Sequence, residues 1–96
     1  LELYNLGLLN IQMKQPVIAL DYLQQSLVYY LKAYGDEHQE VAIIWADMGD
    51  TYMLMNDVEQ AERFFSQALP IYVRTFGEKH QRTIGLKQRI SGLQAQ

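Results

Sequence analysis

No cysteine occurs anywhere in the 96 residues. That absence excludes disulfides, thiolate zinc sites and thiol nucleophiles, and it suits a reducing compartment. Also missing are any apolar run near the ~18 residues needed to span a bilayer and any basic-then-apolar leader. The expectation is a protein of the cytoplasm that does not insert into membranes. Charge is sparse too: 20% of the residues are charged and 49% hydrophobic, too apolar a balance for intrinsic disorder and suited to one small globular unit. The chain opens with Leu1 inside a helical pattern, which reads as a piece of something longer.

The formal net charge of −3 is unevenly spread. Up to residue 73 the cations are Lys14, Lys32 and Arg63 against ten acids; beyond it they are Arg74, Lys79, Arg82, Lys87 and Arg89 against Glu78 alone. A basic end can meet acidic partners or phosphates, or it can be a solvated helix face. No aromatic side chain follows Phe76 to stack on bases, so nucleic-acid binding has no independent support.

What the chain does contain is an echo. YGDEHQEVA, Tyr34 to Ala42, returns as FGEKHQRTI, Phe76 to Ile84, a shift of 42 positions. The same shift carries Gly7 onto Gly49, Ala19 onto Ala61, Leu27 onto Leu69, Tyr30 onto Tyr72 and His38 onto His80. Periods of ~20–50 residues mark arrays in which each unit buries its apolar face against a neighbour. The units are 1–38, 39–80 and a partial repeat or capping helix over 81–96, about two and a half repeats in all.

Within each unit the apolar spacing is helical. Val41, Trp45, Met48, Tyr52 and Met55 recur at steps of three or four, and so do Ala61, Phe65, Ala68 and Tyr72. Asp57, with Gln60 three residues on, makes a capping box for a second helix, and Pro16 opens its counterpart in the first unit. Gly35 and Gly77 are expected to stop the second helices in the left-handed conformation. The spacing predicts five helices near 1–14, 16–34, 39–55, 58–76 and 81–94, with Trp45 largely buried and a bend at Pro70.

The segment WADMGDTYMLMNDVEQAERFFSQAL resembles a tetratricopeptide repeat. Trp45, Met48, Gly49, Tyr52, Ala61, Phe65 and Ala68 fall at that motif's large-and-small spacing. Leu3, Leu6, Gly7, Ala19, Leu23 and Ser26 fit the same frame, with Asn10 where the motif prefers an aromatic. The resemblance implies an all-α fold, a right-handed superhelical array of antiparallel helix pairs. The long repeat and its aromatic-Gly-acid-x-His loop are similar to the extended repeats of kinesin light chains, the clustered mitochondria family and nephrocystin-like proteins. Gln39 and Gln81 stand where that subgroup usually has proline.

Catalytic constellations are absent from the pattern. His38 and His80 occupy equivalent loops one repeat apart, which points to capping or loop packing rather than to a base beside a nucleophile. Asp36, Glu37 and His38 lack a fourth ligand for a metal, and no glycine-rich phosphate loop occurs. Neither enzymatic activity nor a cofactor is expected.

The resemblance further implies that the first helix of each repeat lines a concave groove. It places Tyr4, Asn5 and Leu8, then Asp47, Asp50 and Leu54, then Gln88 and Arg89 on that groove. Asn5 matches an asparagine often found there; a bond to a neighbouring helix is the alternative. Asp47 and Asp50 would make the middle acidic, or be a solvated face. Gripping a C-terminal carboxylate needs converging cations. Tyr4, Leu8 and Asp47 stand in those places, which disfavours a tail clamp.

The expected function is a protein-interaction scaffold binding an extended peptide with a basic or apolar centre and an acidic end near Arg89. Tyr29 and Tyr30 would lie away from that face. The clustered-mitochondria resemblance implies an RNA-linked alternative, and a purely structural spacer is a third reading. Exposed apolar residues at the ends, with Leu1, Leu3 and Leu8 as candidates, would drive self-association.

Overall fold

The computed structural model describes residues 2–94, and these form five helices and no strand. They are α1 (Glu2–Gln12), α2 (Pro16–Tyr34), α3 (Gln39–Leu54), α4 (Val58–Phe76) and α5 (Gln81–Gln94). Each helix packs against the next, and α1 also touches α3. The short connections reverse the chain at every step, giving a stack of antiparallel neighbours.

Local chemistry sets the boundaries. The α1–α2 and α3–α4 turns are the same motif repeated. Lys14 and Asn56, one repeat apart, adopt φ of 57° and 59°. Around them Gln15 N–H donates to Asn10 O and Lys14 N–H to Ile11 O; Asp57 N–H donates to Tyr52 O and Asn56 N–H to Met53 O. These paired bonds are the Schellman arrangement, which satisfies the last carbonyls of a helix and stops it. It also ends α1 at Gln12, two residues before the expected limit. Pro16 then starts α2, and Asp57 caps α4 by accepting from Gln60 N–H at 3.2 Å.

The second helices end differently from expectation. Gly35 and Gly77 have φ of 83° and 92° with ψ of 177° and 160°. Such a residue is not in the left-handed helical region but in the extended region of positive φ, which is essentially confined to glycine. It straightens the chain into the loop instead of curling it back. The histidines then cap the next helices: His38 Nδ1 accepts from Glu40 N–H at 3.1 Å and His80 Nδ1 from Arg82 N–H at 3.0 Å. Each ring rests on the aromatic that precedes the glycine, His38 stacked on Tyr34 at 4.3 Å and His80 tilted on Phe76 at 5.0 Å. The doubled loop is a doubled joint.

The core is one continuous seam with two centres. Leu23, Ile44 and Met48 meet between α2 and α3, while Ala46, Ala61, Phe65, Ala68 and Leu86 fill the space between α3, α4 and α5. Trp45 is only partly buried and packs against both centres, so its indole bridges them rather than filling either. A Cβ at Gly49 would fall 2.6 Å from Phe65 Cδ1, and one at Gly7 would fall 2.9 Å from Leu23 Cδ2. The repeat is thus preserved at the level of contact, since Leu23 and Phe65 are counterparts as Gly7 and Gly49 are. Small residues admit the large side chain of the paired helix, and the wholly buried Phe65 is the larger of the two. Pro70 lies on the exposed side of α4, and the helix runs on through it to Phe76. No helix among the described residues is long and apolar enough to cross a membrane.

Candidate interaction surface

Three first helices, α1, α3 and α5, carry the eight residues assigned to the groove, and two polar contacts join them. Tyr4 Oη on α1 donates to Asp47 Oδ2 on α3 at 2.6 Å. Arg89 Nε on α5 meets Asp50 Oδ1 on α3 at 3.1 Å. Helical spacing puts Asp47 and Asp50 on adjacent turns of one face, so α3 holds α1 with one carboxylate and α5 with the next. Asn5, Leu54 and Gln88 are exposed, and Leu8 is partly buried.

This arrangement corrects the idea of a free, solvated acidic face. Asp47 is partly buried and tied to a phenol. Burial, with a smaller push from the neighbouring Asp50 charge, raises its carboxyl to about 6 against the opposing effects of Tyr4, Arg89 and Arg82. Burial likewise raises Asp50, outweighing the attraction of Arg89. The Tyr4 phenol is pushed upward by burial and by Asp47, and so stays a donor. Neither aspartate is therefore available as an unencumbered charge, and the support for a basic ligand centre falls away.

Arg89 is held from two sides. Its Nε faces Asp50 and its guanidinium carbon sits 5.3 Å from the centroid of the Phe65 ring. Beside it opens a cleft of about 350 Å³, lined by Asp50, Met53, Phe65, Arg89, Gly92 and Leu93. The floor is apolar and the rim is an ion pair. Only Asp50 and Arg89 among these were assigned from sequence. The missed signal lies in the repeat itself: Gly92 is the counterpart of Asp50 and Leu8, so the third unit has a gap where the others have a side chain. Among the described residues, and apart from its chain neighbours and the adjoining helix backbone, nothing lies within 4 Å of a Cβ built on Gly92.

Other features narrow the chemistry. Among the described residues no three His, Cys, Asp or Glu side chains gather as a metal site. Part of the basic end is paired, Arg74 to Glu37, Lys87 to Glu78 and Arg89 to Asp50. Arg82 lies over the Phe76 ring at 5.6 Å. The large apolar residues exposed on α1 are Leu6 and Leu9, and Met13 is exposed in the turn that follows it. Leu3 and Leu8 are partly buried, and Leu1 lies outside the described residues. The stripe expected to be exposed, Leu3 and Leu8, is thus partly buried, and the exposed stripe is Leu6 and Leu9.

The family model for the tetratricopeptide repeat matches residues 1–74. No curated protein matches the chain. The helix pairs, the small-against-large contacts at Gly7 and Gly49, and that match lead to one conclusion: the chain belongs to the tetratricopeptide repeat family, a non-enzymatic module whose repeats mediate protein–protein interaction.

Proposed function

We propose that the chain is an adaptor surface which binds an extended segment of a partner protein along α1, α3 and α5. The observation that carries this reading is the cleft between α3 and α5. It offers an apolar wall of Met53 and the edge of Leu93, with the wholly buried Phe65 behind them, beside a guanidinium already oriented by Asp50 and Phe65. A preformed pocket with a fixed donor binds without the entropic cost of arranging itself. The ligand that suits it places an apolar side chain in the cleft and a carboxylate near Arg89. A cytoplasmic setting accords with the absence of cysteine. The RNA-linked alternative has less to stand on, because no aromatic side chain follows Phe76 to stack on bases.

The test is a selection of extended peptides from a displayed library on the purified chain, followed by binding to two variants. Gly92→Leu fills the cleft from a position with free space around it, and Arg89→Glu reverses the rim charge. Selected peptides should share an apolar residue next to an acid and should lose at least about tenfold in affinity with each variant, a change worth ~1.4 kcal/mol. Melting of the Gly92→Leu variant should be undiminished. Peptides that bind both variants as well as the parent would refute the site, and a chain that selects nothing would favour a spacer.

A further inference from the structure

The cleft between α3 and α5 borders a set of charges that is balanced as it stands. Asp47 and Asp50, one turn apart on α3, are its two carboxylates. Its two guanidiniums both come from α5: Arg89, whose Nε faces Asp50 at 3.1 Å, and Arg82, whose weaker attraction also reaches Asp47. Two phenols complete it. Tyr4 on α1 donates to Asp47 Oδ2 at 2.6 Å, and Tyr72 on α4 is pushed upward by burial and by Asp47 and so stays neutral. From α2 the titratable group set against α3 is Tyr30, which feels Glu40 and not Asp47. Two negative charges thus face two positive ones, with neutral donors around them.

A ligand carboxylate beside Arg89 upsets this balance. The site then holds three negative charges against two positive, in surroundings partly removed from water, where like charges repel more strongly than in bulk solution. Arg89 must also divide its attraction between the newcomer and the aspartates. A proton from solvent relieves the excess, and the two aspartates are not equal candidates to take it. Asp50 keeps a cation in direct contact, whereas the direct partner of Asp47 is an uncharged phenol. Asp47 is also the one already close to protonation at neutral pH, at about 6 in the free chain. Tyr4 can go on donating to Oδ2 while the proton sits on Oδ1. We infer that the cleft takes up an acidic ligand together with a proton, which Asp47 holds one helical turn from the Asp50–Arg89 rim.

This coupling presupposes the cleft as the binding site and adds its control. The complex binds a proton more tightly than the free chain does, so affinity rises as pH falls from 8 and levels off below about 6, where free Asp47 is itself protonated. Mildly acidic surroundings strengthen the grip.

Calorimetry in two buffers of different ionisation heat counts the protons taken up. The probe is a selected peptide with capped ends, one acid and no histidine, so that it does not titrate in this range. Near pH 6.5 about a third to a half of a proton should enter per peptide bound, and affinity at pH 6 should exceed that at pH 8 at least about threefold. The same peptide with its acid changed to the amide should bind without uptake. Asp47→Asn should also abolish the uptake, and it should bind the acidic peptide at pH 8 about as tightly as the parent does at pH 6. An acidic peptide whose binding is indifferent to Arg89→Glu overturns the site and the coupling together. One that needs Arg89 yet takes up no proton, or takes it up equally with Asp47→Asn or as the amide, overturns the coupling alone.

Discussion

Gly49 and Gly92 both sit inside helices, where glycine is costlier than alanine by about 1 kcal/mol. Their surroundings make opposite demands. An added methyl at Gly49 would overlap the wholly buried Phe65 ring, whereas one at Gly92 meets open space among the described residues. Gly49→Ala should therefore destabilise by ~1–3 kcal/mol through overpacking, while Gly92→Ala should stabilise by ~0.5–1 kcal/mol. Urea denaturation of the two variants checks the contrast. Asp47 provides a second residue-scale test, with an unusual sign for a carboxylate. Its folded value of about 6 lies above the ~3.9 of an unfolded aspartate. The folded state therefore takes up the proton first, and stability rises as pH falls from neutral through 6 towards 4. Asp47→Asn, which keeps an acceptor for Tyr4, should be more stable than the parent at pH 8 by on the order of 1–2 kcal/mol, with the gap closing by about pH 4. A gap that widens on acidification would show that the carboxylate is instead stabilised by its partners. The sequence did not disclose this behaviour, because Tyr4 and Asp47 are brought together only by the packing of α1 on α3.

At the scale of elements, most of the architecture was legible because the chain writes its punctuation twice. Pro16, Asp57, His38 and His80 start helices where they stand, and all five helices fall within a few residues of their expected limits. The error at Gly35 is one of backbone region: a glycine after a helix indicates positive φ but not which ψ accompanies it. That difference is measurable. Asparagine is tolerated in the left-handed region but not in the extended region of positive φ. Gly35→Asn should cost ~1–3 kcal/mol, about as much as Gly35→Ala. A near-neutral asparagine would place Gly35 back in the left-handed region. Pro70 offers the converse case. It removes one backbone bond to Ser66 on the exposed side of α4, and its repeat counterpart is the ordinary Val28. Pro70→Ala should raise stability by ~1–3 kcal/mol, read by thermal or chemical melting. A variant no more stable than the parent would mean that the surrounding helix has already absorbed the proline at no cost.

For the whole molecule, the repeat explains both the strength and the limits of a reading from sequence. Periodicity and cap residues are local, so they reveal the helices and the stack. The proposed binding face is not local: it depends on which aspartate meets which partner across a shift of one repeat, and on the gap at Gly92 beside a cleft that three packed helices enclose. Hence Asp50 and Arg89 of this cleft were named from the family resemblance, whereas Met53, Phe65, Gly92 and Leu93 were not. We propose that partners are held on the first helices, at the cleft between α3 and α5. The most direct test of this central claim is a titration of the isotope-labelled chain with a selected peptide, following backbone amide shifts by nuclear magnetic resonance. The claim predicts that the largest shifts fall on residues 47–54 and 85–93, with those of residues 17–30 nearly unmoved. Shifts concentrated on the outer side of α2, at Val28, Tyr29 and Tyr34, with the cleft residues silent, would contradict it.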